Sequence, residues 1–160
     1  MDPKAKKQTL RMFTYGMYVA TTAAGDDLAA GSVTWLSQAS FEPPLLMIAV
    51  QKESGLGALI EQSQTFAVNV LAANQKEVAQ AFFRPTEVAD GKINGYRFEP
   101  GPETGAPLLV DLPAWCEARV TDTVRRGDHT VYLAEVINAG VRDPDAEPMD
   151  LRDTGWSYGG

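Results

Sequence analysis

The stretch "AWCEARVTDTV", residues 114–124, alternates strictly, with Cys116, Ala118 and Val120 on one side and Trp115, Glu117 and Arg119 on the other. A repeat of two is that of an extended strand, whose successive side chains point to opposite faces. "HTVYLAEVINAGV", residues 129–141, is a second long run of β-branched and apolar character, and Gly127–Asp128 just before it lets the chain turn. Two long strands so close in sequence require a sheet, and no repeating strand–helix–strand unit competes with that reading.

The rest of the chain supplies partners. Residues 4–15 are basic and amphipathic, with Leu10, Phe13 and Met17 at helical spacing, which predicts a short leading helix. "MYVATT" (17–22) and "LAAGSVTWL" (28–36) flank the turn signal "AAGDD" and predict a hairpin. "PPLLMIAVQK" (43–52) reads as a strand entered through two prolines, since no ladder donor is needed at its first position. "SGLGALIEQSQ" predicts a short helix capped by Ser54, and "TFAVNVL" (65–71) a strand with Phe66, Val68 and Val70 on one face. In "NQKEVAQAFF", Asn74 followed three residues later by Glu77 predicts a helix opened by a capping box. Residues 84–113, rich in Gly, Pro and charge, read as irregular. The expectation is one domain, mainly β, an antiparallel barrel or sandwich with a few short flanking helices.

Charge and composition narrow the function classes. A formal net charge of −7 excludes a protein that displaces counterions from nucleic-acid phosphates. The longest apolar run, "PPLLMIAV", is too short to cross a membrane, and "MDPKAKKQTLRMF" lacks the apolar core of a leader, so a cytoplasmic protein is expected. Cys116 and His129 are each the only residue of their kind, too few for a metal cluster. "SGLGAL" begins like a dinucleotide loop, but residue 60 is isoleucine, and no phosphate-loop lysine or serine elbow occurs. Residue by residue, the chain reads as a soluble β-barrel-like domain with one histidine at a strand start, either a turn residue or a proton-handling group.

An ordered set of segments carries more. "FTYGMYVATT", "AAGSVTWLSQASFEPPLLMIAVQKES", "TFAVNVLAANQKEVAQAFF", "GAPLL" and "GDHTVYLAEV" cover nearly the whole chain. In this order and at these separations the set resembles the flavin reductase-like family of FMN-binding split barrels. The resemblance implies an antiparallel, Greek-key split β-barrel and a homodimer. It also implies FMN (with FAD as an alternative), and NAD(P)H as the source of the hydride passed to flavin. An electron carrier without nicotinamide turnover and a non-enzymatic small-ligand or haem binder stay open as other readings.

The resemblance also implies site residues. The segment Ser32, Val33, Thr34, Trp35 and Ser40 would run along the flavin ring and ribityl chain. Ser54 stands where a helix begins, and its free amides and positive dipole end suit a phosphate, with Lys52 two residues earlier. The pattern departs at "GLG" after Ser54, where relatives carry a further Ser or Thr, so backbone contacts to the phosphate matter more here. His129, in "GDHT", would line the nicotinamide pocket, since an imidazole can orient a carboxamide. Trp156 and Tyr158 in the tail would cover the flavin of a partner subunit. A partner oxygenase receiving reduced flavin is the further implication.

Overall fold

The computed structural model describes residues 1–160. Helix α1 (Pro3–Arg11) is capped by the Asp2 carboxylate on the amides of Lys4 and Ala5, and none of its residues is buried. Strands β1 (Tyr18–Ala24), β2 (Asp27–Val33), β3 (Leu36–Ser40) and β4 (Leu45–Gln51) follow, then helix α2 (Gly55–Ser63) and β5 (Thr65–Val70). Helix α3 (Lys76–Ala81) leads to four short strands, β6 (Val88–Ala89), β7 (Lys92–Ile93), β8 (Tyr96–Pro100) and β9 (Pro107–Leu109). The long strands β10 (Ala114–Val124) and β11 (His129–Val141) fall on the two stretches whose patterning predicts them.

Seven strands form one antiparallel sheet in the order β2-β1-β5-β10-β11-β4-β3. Its two edges, β2 and β3, are consecutive in the chain and joined only by Thr34 and Trp35. So short a connection spans about 10 Å at most, so the sheet must curl until its edges face each other. That curl is the split barrel, and Thr34–Trp35 bridges the split. Bulges at Glu117/Ala118 and Val120/Asp122 in the β10–β11 pairing increase the bend.

The barrel interior holds Ile48, Phe66, Val68, Ala118 and Tyr132, and α2 adds Leu56 and Ile60 to it. Each fully buried side chain of this size contributes about 2 kcal/mol. A second cluster joins Met17, Val19, Leu71, Phe82, Ile93, Leu109, Leu112, Met149 and Leu151, and seats α3 and the segment from β6 to β9 against the barrel.

Three local expectations are corrected. Residues 84–113 are not irregular throughout: β6 to β9 make a four-stranded antiparallel sheet. Helix α3 has no Asn74 capping box; Gln75 precedes it, accepting from the Ala72 amide at 2.9 Å and donating to the Asp111 carbonyl at 2.7 Å. Pro43 and Pro44 lie in the turn before β4 rather than in the strand.

Candidate functional site

A cavity of about 1030 Å³ opens along the split. Its walls come from β2, the Thr34–Trp35 bridge, the end of β4, the start of α2, the Phe82–Thr86 loop and the C-terminal tail. Small residues in β2, Ala29, Ala30 and Gly31, make the room. The Thr86 hydroxyl accepts from the Ala30 amide at 2.9 Å, which pins the loop to β2.

Two buried polar atoms on this wall have no partner within the protein: the Thr34 hydroxyl oxygen and the Trp35 indole nitrogen. A buried donor or acceptor left unpaired costs about 1–3 kcal/mol, and such groups are rare unless something else satisfies them. Neither atom is open to the cavity in the free protein, so the polar edge of a flavin ring pairs with them only once the residues covering them shift. Ser32 also lines the cavity, but its hydroxyl donates to the Ala79 carbonyl at 2.7 Å, holding the end of α3. Val33 is buried in the barrel core beneath the same wall.

At the other wall, Ser54 caps α2, accepting from the Gly57 amide at 3.0 Å. Gly55 has open space where a Cβ would be, so the first turn of the helix presents bare backbone. Gly57 is required for packing, since a Cβ there would fall 2.6 Å from the Gln51 carbonyl. The positive end of α2 therefore faces the cavity as an anion cradle.

Lys52 does not join this wall. It lines a separate recess of about 330 Å³ with Arg125, Glu61, Thr130 and Tyr132. In that recess Arg125 forks onto Glu61 at 3.0 and 2.6 Å, and the hydrogen bonds from Arg125 hold the Glu61 carboxyl below its usual range. Ser40, half-buried at the end of the edge strand β3, also lies off the cavity wall.

His129 pairs with Gln51 across β11 and β4, and its ring lies 4.5 Å from that of Trp35. Nδ1 is 2.7 Å from the Asp128 carboxylate and Nε2 is 2.8 Å from the Tyr158 hydroxyl. A carboxylate only accepts, so Nδ1 donates to Asp128, while Nε2 meets the Tyr158 hydroxyl. Gln51 donates in turn to the Tyr158 oxygen at 2.9 Å. The hydrogen bond to His129, then its charge, holds the Asp128 carboxyl low, while burial pushes the Tyr158 hydroxyl up.

The geometry brings together Ser32, Val33, Thr34, Trp35 and Ser54, with His129 against Trp35. It adds Arg84, Phe83 and Gln51, which no sequence motif marks, and the tail residues Trp156 and Tyr158. In this chain the tail folds onto its own cavity. No helix is long and apolar enough to cross a membrane.

Comparison with known proteins agrees with this geometry. Residues 10–155 match the model of the flavin reductase like domain. The NADH-dependent FAD reductase of Streptomyces globisporus is 34% identical over 157 residues, covering 93% of this chain and 83% of that protein. The flavin reductase (NADH) of Kitasatospora aureofaciens is 32% identical over 137 residues, covering 84% of this chain and 70% of that one. The solved structure of the Streptomyces globisporus NADH:FAD oxidoreductase SgcE6, in complex with NAD and FAD fragments, superimposes with a TM-score of 0.81. It is 30% identical and covers 99% of this chain and 94% of that one. The chain spans only about a quarter of some longer matching proteins, such as a diflavin flavoprotein of Nostoc, of which it covers 24%.

Proposed function

This chain belongs to the flavin reductase-like family, and on that footing we propose that it is an NAD(P)H-dependent flavin oxidoreductase. The observation that carries the reading is the pair of unpartnered polar atoms, Thr34 Oγ1 and Trp35 Nε1, on the wall of a cavity that also meets the start of α2. At about 1030 Å³ the cavity is at the upper end for small-molecule sites and has room for two ring systems.

Each wall has a task. Trp35 offers a flat surface and an indole N–H to a flavin carbonyl, and Thr34 a hydroxyl to the polar edge of the ring. Ser54 and the first amides of α2 hold the phosphate nearest the ribityl chain, a group common to FMN and FAD. Lys52, opening on the neighbouring recess, adds long-range positive charge rather than a contact. Bound flavin supplies the hydride-accepting chemistry. The protein's part is to hold donor and acceptor rings in register and to exclude water, which Phe83, Trp35 and Trp156 do by lining the cavity.

His129 stands beside Trp35 of the cavity wall, its ring 4.5 Å away and its Nδ1 held by Asp128, and from there it orients the carboxamide of the nicotinamide. Replacing it tests this: His129→Ala leaves flavin bound and the fold intact, and slows flavin reduction by NAD(P)H. Unchanged reduction with a lowered melting temperature makes His129 a strand-start residue only, and loss of flavin makes it a direct flavin contact.

Two further readings belong to the same proposal. The protein works as a homodimer, a reading supported by large apolar side chains left exposed, among them Phe41, 92% exposed beside the edge strand β3, Met47 and Phe13. Light scattering of the flavin-loaded protein decides this. Reduced flavin passes to a partner oxygenase, supported by the likeness to BorF, the flavin reductase component of a two-component tryptophan halogenase, 26% identical with a TM-score of 0.75.

A further inference from the structure

His129 has no free nitrogen. Nδ1 is engaged by Asp128 and Nε2 by Tyr158, so nothing that enters the cavity can bond to the imidazole until the tail moves. Tyr158 also sets its ring edge-on to Trp35 at 5.2 Å and takes a bond from Gln51, so a planar ring with a polar substituent already fills this corner.

The segment reaching there is shaped for the place. Gly155, with φ 77°, turns the chain out of the Leu151–Thr154 helical turn. Trp156 packs edge-on against Phe83 at 4.8 Å and lies under the Lys76 ammonium at 4.7 Å. Lys76 also donates to the Thr154 carbonyl. Gly159, with φ 95°, passes so close to Trp35 that a Cβ would stand 3.1 Å from the indole ring. Its carbonyl accepts from Arg11 of α1 at 3.3 Å.

Yet the hold is light. Tyr158 is 38% exposed, Ser157, Gly159 and Gly160 are exposed, and the bonds beyond Trp156 are few. Segments of this kind open at low free energy while their anchors stay in place.

We propose that residues 157–160 are a built-in competitor of the nicotinamide, with Tyr158 holding the ring's place against Trp35 and His129. This rests on the oxidoreductase reading above. Trp156 is the anchor, and the nicotinamide carboxamide and the Tyr158 hydroxyl are alternative partners of His129 Nε2. The tail thereby sets the nicotinamide affinity, because only the open fraction of molecules can bind.

The test uses the flavin-loaded full chain and oxidised NAD⁺, which binds without reducing flavin. Tyr158→Phe keeps the ring and loses only the hydroxyl, and a chain ending at Trp156 loses the competitor but keeps the anchor. Calorimetry is expected to give a dissociation constant for NAD⁺ about fivefold lower in Tyr158→Phe and at least as low in the shortened chain. Equal or weaker NAD⁺ binding by the variants overturns the competitor and leaves the oxidoreductase reading standing. NAD⁺ binding to none of the three proteins overturns both.

Discussion

Thr34→Val should move stability and flavin binding in opposite directions. In the free protein the Thr34 hydroxyl is buried without a partner, so it destabilises the fold. Valine has nearly the same shape and no polar group to desolvate. Removing an unpaired buried hydroxyl should therefore stabilise the flavin-free protein by about 1 kcal/mol, the low end for such groups. For a chain of this size that raises the melting temperature by about 3 °C. With flavin bound, the hydroxyl gains a partner that valine cannot offer, so the dissociation constant for flavin should rise about fivefold, equivalent to about 1 kcal/mol. Scanning calorimetry of the flavin-free proteins and fluorescence titration with FMN measure the two effects. A lower melting temperature for Thr34→Val would show that the hydroxyl is paired in the free protein. Unchanged flavin affinity would show that flavin does not meet Thr34.

Three other outcomes are expected. At Ser54, alanine removes both a helix cap and a phosphate contact, costing about 1 kcal/mol of stability and a similar amount of flavin affinity. Ser54→Asp keeps the cap and should bind flavin more than tenfold more weakly, because its charge faces the phosphate; urea melts and FMN titration separate the two effects. Glu117→Ala strands the Glu103 and Thr104 amides, the Thr104 hydroxyl and the Asn138 amide, and should cost about 3 kcal/mol in urea unfolding. Burial pushes the Cys116 thiol up to about 11. The unfolded thiol ionises first, so this group's contribution to stability is whole below about pH 9 and is lost as pH rises toward 11. Cys116→Ala should flatten that alkaline decline in melts taken across the range.

The fold was most legible where one physical pattern dominated. The bounds of β10 and β11 follow from alternation and β-branching alone, and Ser54 is recognisable as the cap of α2 because a capping serine acts within its own turn. The small sheet was not legible, since strands of two to five residues carry no measurable period. It is held by side chains distant in sequence: Thr21 donates to the Pro107 carbonyl at 2.6 Å, and Asn69 accepts from the Leu109 amide at 2.8 Å. Glu117 shows the same limit. Alternation groups it with Trp115 and Arg119, yet it is fully buried, because the loop at Gly101–Ala106 folds over it and donates to its carboxylate.

The site divides in the same way. Thr34 and Trp35 stood out through resemblance, but their importance as the bridge across the split appears only when β2 and β3 prove to be the two edges of one sheet. Alternation within "SVTWL" suggested one continuous strand, whereas β2 ends at Val33 and the chain changes direction at the cavity. Arg84 reaches the cavity from a distant loop and has no local signal, whereas Tyr158, which the resemblance set over a partner's flavin, lies on the cavity of its own chain. Lys52 and Ser54, two residues apart, face different recesses, because the chain turns between β4 and α2.

The most direct test is anaerobic mixing of the flavin-loaded protein with NADH or NADPH while the visible flavin absorbance is followed. The expected result is a bleaching that saturates with nicotinamide concentration and slows in His129→Ala without loss of flavin. Flavin that stays bound and oxidised at every concentration of both nicotinamides would contradict the assignment of this cavity to nicotinamide-dependent flavin reduction.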